Sequence, residues 1–332
     1  MSRPFMKFLV TGATGFIASH LVDLLHARGF HVVCPVRDPA SLRHLSPANA
    51  AVVPLAALED YAASQGPFDY VIHAAGATRG TSYKHFYDAN VRLTQRLLAA
   101  FSQAPLNRPL KRFVLVSTQA VAGPSNNGGA PLDESAPAAP ISWYAMSKYE
   151  AEKAVLECAD ALPITIVRPS TVFGPRDVDV LGVFRAVQRR IAPYIAGPDR
   201  FVSIIYVRDL IDGILAAALS DRSLGRIYFL TNPHPVVWRD FVHLLALAAG
   251  KRVLPLPVPP ALLRLTAYLG DAASKITGKP VLIRSDKLQE LLQTAWVCSP
   301  ERARRDFGWR ASTPLDDAVR QTFMWYKQHG WL

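Results

Sequence analysis

Six short, nearly uninterrupted apolar runs separated by helical patterns restrict this chain more than any other feature. The runs are 8–10, 31–36, 70–73, 112–116, 164–167 and 227–230. A strand that is apolar on both faces has to be covered on both faces. Such strands alternating with helices therefore imply a parallel sheet sandwiched between helical layers. Residues 17–27 and 90–101 supply two of those helices, the first stopped by Gly29. The expected fold class is α/β: a Rossmann-type doubly wound parallel sheet with a smaller, mostly helical C-terminal cap. Pro and Gly punctuate the second half, as in Gly174-Pro175 and Gly197-Pro198, and from Trp238 onward the pattern reads as mostly helical. The expected division is a dinucleotide-binding domain over 1–174, with 203–232 returning to it. The substrate-binding cap would be 175–202 and 233–332.

Half of the 332 residues are hydrophobic and 19% are charged, which suits a sizeable core and argues against disorder. The formal net charge is +11, from 37 basic and 26 acidic residues. A basic surface suits anionic ligands such as dinucleotides. The basic residues are scattered, with no dense run and no DNA-binding motif, so nucleic acid is not an expected partner and a small-molecule substrate is. Cys34, Cys158 and Cys298 have neither metal-site nor redox-pair spacing, so free thiols and no metal are expected. No signal peptide and no apolar stretch of membrane-spanning length is read, and the expected location is the cytoplasm.

Thr11-Gly12-Ala13-Thr14-Gly15-Phe16-Ile17-Ala18 lies where the first strand turns into the first helix. Gly12 permits a tight turn, Gly15 lets the backbone approach a pyrophosphate, and the helix N-terminus offers amides to it. Gly12, Thr14, Gly15, Phe16 and Ile17 are the candidate phosphate-binding residues. The second strand ends in Val36-Arg37-Asp38-Pro39. In a doubly wound fold that end meets the adenosine ribose, where an arginine accommodates a 2′-phosphate; Arg37 therefore favours NADP(H) over NAD(H).

Tyr144 and Lys148 are four residues apart and share one face of a helix that Ser142 can cap. A phenol with a pKa of about 10 is a poor base at neutral pH. A neighbouring ammonium and an oxidised nicotinamide are expected to lower it, so that Tyr144 can move a proton to or from a carbonyl or carbinol oxygen. Ser117 and Thr118 end a strand on the carboxyl edge of the sheet, where ligands bind in open α/β folds. A hydroxyl there can donate to the same oxygen.

Together with Asn90-Val91, the run 168–175, Tyr206-Val207-Arg208-Asp209-Leu210, the stretch 300–309 and Trp325-Tyr326, these motifs resemble the extended short-chain dehydrogenase/reductase superfamily, the NAD-dependent epimerase/dehydratase family. The resemblance spans nearly the whole chain. It implies Tyr144 as acid/base, Lys148 as its activator and Thr118 as partner of the substrate oxygen. Thr118 is preferred to Ser117 because it keeps the spacing to Val121-Ala122-Gly123. The resemblance also implies Ala74, Ala75 and Gly76 lining the cofactor, Pro169, Thr171 and Val172 near the nicotinamide, and a homodimer through paired helices. Two positions depart from the family pattern. Val53-Pro54-Leu55-Ala56 stands where members often carry Gly-Asp-Leu, and Ala122 replaces a common tyrosine.

Within the family, sugar-nucleotide epimerases resemble one another in Arg-Asp-Phe-Ile/Val-His-Val, whose arginine holds the diphosphate. This chain has Val202-Ser203-Ile204-Ile205-Tyr206-Val207 instead. Arg37-Asp38-Pro39 and Ala18 look like the dihydroflavonol and cinnamoyl-CoA reductase group. The apolar segment 254–269 and Trp296-Val297 look like bacterial relatives of 3β-hydroxysteroid dehydrogenases. The resemblance thus implies an NADP(H)-dependent oxidoreductase interconverting a carbonyl and an alcohol on a bulky hydrophobic or aromatic substrate. A sugar-nucleotide epimerase or dehydratase with tightly bound NAD, and a non-catalytic NADP sensor, stay open as alternatives. For 254–269, cap core, substrate lining and peripheral membrane contact all stay open.

Overall fold

Alternate residues of each apolar run enter different cores. In β1 (Lys7–Thr11), Phe8 and Val10 join one cluster and Leu9 the other; in β5 (Arg112–Val116), Val114 and Val116 separate in the same way from Phe113 and Leu115. These strands lie in a seven-stranded parallel sheet with β2 (His31–Val36), β3 (Ala51–Pro54), β4 (Tyr70–His73), β6 (Ile164–Pro169) and β7 (Arg226–Leu230). The order is β7-β6-β5-β4-β1-β2-β3. The computed structural model describes residues 6–65, 67–103, 110–125, 130–277 and 284–332. Helices α1 (Phe16–Ala27) and α4 (Val207–Leu219) cover one face, and α2 (Leu93–Phe101) and α3 (Trp143–Glu157) the other. The doubly wound reading holds, including the return of 227–230 to the main sheet. β3 is the edge strand of the sheet, and of its residues only Val53 is buried.

Two polar devices fix the helices on this sheet. Arg168 of β6 makes a buried two-pronged contact with Glu152 of α3, Nε to Oε1 at 2.9 Å and Nη2 to Oε2 at 2.6 Å. On the other face, a Cβ at Gly213 of α4 would stand 2.7 Å from the Trp309 ring. Trp309 Nε1 donates to the Asp209 carbonyl at 3.2 Å, and the Asp209 carboxylate accepts from the Ser312 and Thr313 amides. The motifs at 206–210 and 300–309 therefore meet in space, one clamping the other.

Beyond β6 the small strands form separate pieces: Thr171–Phe173 with Ile204–Tyr206, Phe201–Val202 with Val236–Val237 and Ala295–Trp296, and Ile191–Ile195 with Leu254–Val258. The last pair puts a strand into the region after Trp238, which is otherwise mostly helical as expected. Leu254–Val258 is a strand despite Pro255 and Pro257, because it lies in a two-stranded sheet, where an open side leaves room for residues lacking an N–H. It leads into α5 (Pro260–Thr277) and α6 (Ser285–Leu292). Among the described residues no helix is long and apolar enough to cross a membrane. The three cysteines are free, with Cys34 and Cys298 buried.

Candidate active site

The carboxyl ends of β2, β1, β4, β5 and β6 are consecutive across the sheet, and the candidate residues gather along them. Gly12 follows β1 with φ +74°, a conformation that costs an L side chain. A Cβ there would also lie 2.7 Å from the Ala75 amide nitrogen, so the loop after β4 packs directly on the glycine turn. Gly15 donates to the Gly12 carbonyl at 2.8 Å and begins α1 with no side-chain cap. The amides of the first turn, near Thr14, Phe16 and Ile17, are thus left for an anion. The reversal of strand order between β1 and β4 falls beside this turn, which is the binding crevice of a doubly wound sheet. The cradle fits a dinucleotide pyrophosphate.

A buried hydrogen-bond chain holds the loop of Ala74, Ala75 and Gly76. Thr11 Oγ1 lies 2.7 Å from His73 Nδ1 and accepts from the Ala75 amide at 3.2 Å. His73 Nε2 lies 2.9 Å from Thr94 Oγ1, whose own hydrogen goes to the Asn90 carbonyl. Thr94 can therefore only accept from the ring, which makes His73 the Nε2–H tautomer. Burial, with a smaller contribution from Lys148, holds its pKa down to about 3, so it stays neutral. Asn90 lies in a π-helical stretch, Tyr87–Arg92. Its Oδ1 accepts from the Ala77 amide at 2.7 Å, and its Nδ2 donates to Ser147 Oγ at 2.8 Å. One side chain thus couples the cofactor-side loop to α3.

Helix α3 starts at the Ser142 cap, whose Oγ accepts from the Ala145 amide at 3.1 Å. The first turn presents Tyr144 and the second Lys148. The Thr118 hydroxyl faces the Tyr144 phenol closely enough to pull its pKa down. Lys148 Nζ donates to the Val116 carbonyl at 2.8 Å, at the end of β5. The structure therefore brings Thr118, Tyr144 and Lys148 together at one strand end. The expected drop in the phenol's pKa is not seen in the protein alone. Burial pushes it up, the Thr118 hydroxyl opposes this, and Glu290 and Asp179 add to the rise. Burial lowers Lys148 to about 8 against the opposing charge of Glu152. Ser117 Oγ, by contrast, is buried without a partner among the described residues.

Arg37 is exposed just beyond β2 and makes no hydrogen bond or ion pair among the described residues, so its guanidinium is free for a ligand. Pro169 ends β6, and Thr171 and Val172 begin the next strand, beside Ser203. Sequence reasoning missed the cap's share of the site. Glu290 of α6 accepts from Ser142 and pairs with Lys287. Arg284 stacks 5.0 Å over the Trp143 ring, and donates to the Thr81 carbonyl at 2.8 Å. Glu290 is 148 residues from Ser142, and Arg284 203 from Thr81, so no local spacing marks either contact. The signal for Asn90 was present in the Asn90-Val91 pair, but not its bond to Ser147.

Residues 8–230 match the NAD dependent epimerase/dehydratase family. The chain is 29% identical to a 4-hydroxy-2-methyl-3-oxo-4-farnesyl-3,4-dihydroquinoline-1-oxide ketoreductase of Stigmatella aurantiaca, covering 95% of this chain and 96% of that protein. It is also 29% identical to a ceramide reductase of Caulobacter vibrioides, covering 97% and 95%. Among solved structures, a UDP-glucose 4-epimerase of Thermotoga maritima with UDP-glucose superposes with a TM-score of 0.78 at 19% identity, covering 98% of this chain and 99% of that one.

Proposed function

The chain belongs to the NAD-dependent epimerase/dehydratase family, and within it we propose an NADP(H)-dependent reductase of a ketone or aldehyde on a bulky hydrophobic substrate. The observation that carries this reading is the meeting of Thr118, Tyr144 and Lys148 beside the glycine turn. Residues 1–174 with 203–232 hold the dinucleotide, and 175–202 with 233–332 form the substrate-binding cap. The amides around Gly12, Thr14, Gly15, Phe16 and Ile17 take the pyrophosphate, and Arg37 takes the 2′-phosphate. Ala74, Ala75 and Gly76 flank the cofactor on one side, and Pro169, Thr171 and Val172 on the other. When bound, the nicotinamide supplies the hydride.

Burial keeps the Tyr144 phenol protonated at neutral pH, which is the form a proton donor to a carbonyl oxygen requires. Thr118 donates a second hydrogen bond to that oxygen as charge develops on it. Lys148 stabilises the phenolate left behind and has hydrogen-bonding capacity for ribose hydroxyls. The cap supports an apolar rather than a diphosphate-bearing substrate. Val202 and Ser203 stand where sugar-nucleotide epimerases resemble one another in Arg-Asp, so the arginine that would hold a diphosphate is missing. Arg200 is engaged with the Ile195 and Pro198 carbonyls, and Arg185 with the Trp331 carbonyl. Two 29% identical relatives are named as a farnesylated-ring ketoreductase and a ceramide reductase.

The test is net oxidation of NADPH across long-chain, aryl and steroid ketones. Tyr144→Phe is expected to lower turnover by about 10²–10⁴-fold. Purified protein carrying stoichiometric NAD and epimerising a UDP-sugar without net redox change would sink the reductase reading. Equal affinity for NADPH and NADH, unaltered by Arg37→Ala, would remove the cofactor preference alone.

A further inference from the structure

Helix α5 is amphipathic in the wrong sense for a helix packed on a core. The positions turned toward the protein, at helical spacing, are Leu263, Ala267, Gly270 and Ser274, mostly small. The opposite face carries the large apolar side chains Leu262, Leu265, Leu269 and Ile276, with Tyr268 at its flank. Leu265 is 54% exposed, Leu269 61%, Tyr268 68% and Ile276 85%. The strand leading into the helix continues the pattern: Leu254 is 75% exposed, and its cross-strand neighbour Ile191 is exposed beside it. Such exposure excludes cap core as the role of these side chains. Burying large apolar side chains is favourable, so a row of them facing water marks a contact site.

Charge identifies the occupant. The segments 189–197 and 250–277, which hold this surface, contain six basic residues, Arg189, Arg190, Lys251, Arg252, Arg264 and Lys275, against one acidic residue, Asp271. Asp271 is turned inward to Arg284 at 3.3 Å, whereas Arg189, Arg190, Arg252 and Arg264 are exposed. An apolar face flanked by cations, with a tyrosine at its edge, complements the interfacial region of an anionic bilayer. Apolar insertion and attraction to acidic headgroups act there together. We infer that the outward face of α5 and the strand before it docks this protein on the surface of an anionic lipid bilayer. The inference stands independently of the reaction proposed above.

The full chain is mixed with vesicles of phosphatidylcholine alone, or of phosphatidylcholine with phosphatidylserine, and sedimented. Sedimentation with the serine-containing vesicles, weakened by salt, is expected. L265E/L269E should lower the affinity by more than about tenfold while keeping the parent's circular dichroism and thermal midpoint. Should that variant fail to fold, hydrogen exchange on the parent decides: vesicles must protect the 254–277 backbone. No sedimentation, equal binding to phosphatidylcholine alone, or no protection of that segment overturns the proposal. So does a dimer in solution that L265E/L269E splits, which would make the face a contact between two copies.

Discussion

Lys148 sits where an ammonium is costly to bury. Its pKa is about 8 in the folded chain against 10.5 for a solvated lysine, because desolvation outweighs the attraction of Glu152. Between these two values the unfolded chain binds the extra proton, so folding is favoured as pH rises through that window. Below it both states are protonated and the burial cost is at its largest, about 3 kcal/mol. Relative to Lys148→Met, the parent should therefore gain about 3 kcal/mol of stability between the two pKa values. Paired denaturant titrations from neutral to alkaline pH measure this, and a constant gap would show that burial does not set the lysine's protonation. Tyr144 teaches a related lesson. A spacing of four residues indicates that a lysine is near, but not that one of its three donors goes to the Val116 carbonyl while burial raises the phenol.

At the scale of elements, the two turn glycines differ in kind. Gly12 has positive φ, and its missing Cβ makes room for the backbone of Ala75. Gly15 has φ −88°, and its nearest neighbour, the Gly12 carbonyl, would lie 3.1 Å from a Cβ. Gly12→Ala is thus expected to destabilise the fold by about 1–3 kcal/mol and abolish dinucleotide binding. Gly15→Ala should fold nearly as the parent does but bind the dinucleotide less tightly. Melting curves and cofactor titration separate the two effects; equal destabilisation would refute the distinction. Asn90 joins two elements that local pattern treats as unrelated. Asn90→Ala leaves the Ala77 amide and Ser147 without their partner, and should cost about 1–3 kcal/mol. Turnover should fall as well, since the 74–77 loop and α3 lose their link; an unchanged rate would mean that the link is only structural.

On the scale of the whole molecule, the cap is held to the sheet by contacts across long sequence distances. Arg284 engages Asp271, Asp286, the Thr81 carbonyl and the Trp143 ring, and Glu290 reaches the Ser142 cap. Arg284→Ala should raise hydrogen exchange across 260–292 and raise KM more than it lowers kcat, while β1–β6 keep their protection. Faster exchange in the sheet strands would instead show that cap and sheet unfold together.

The parallel sheet, the glycine turn and the Tyr144/Lys148 pair were legible because each is written in consecutive or periodically spaced residues. Apolar runs need burial on both faces, and a turn with positive φ needs glycine, whatever surrounds them. Three things depended on tertiary structure: the neutral tautomer of His73, the reach of Glu290 and Arg284 over α3, and the exposed side of 254–269. Hydrogen-bond partners, desolvation and solvent exposure are sums over neighbours that the chain brings together only on folding. The run 254–269 reads the same whether buried or exposed. Its apolar side faces outward because the small residues Ala267, Gly270 and Ser274 are the ones that pack against the protein.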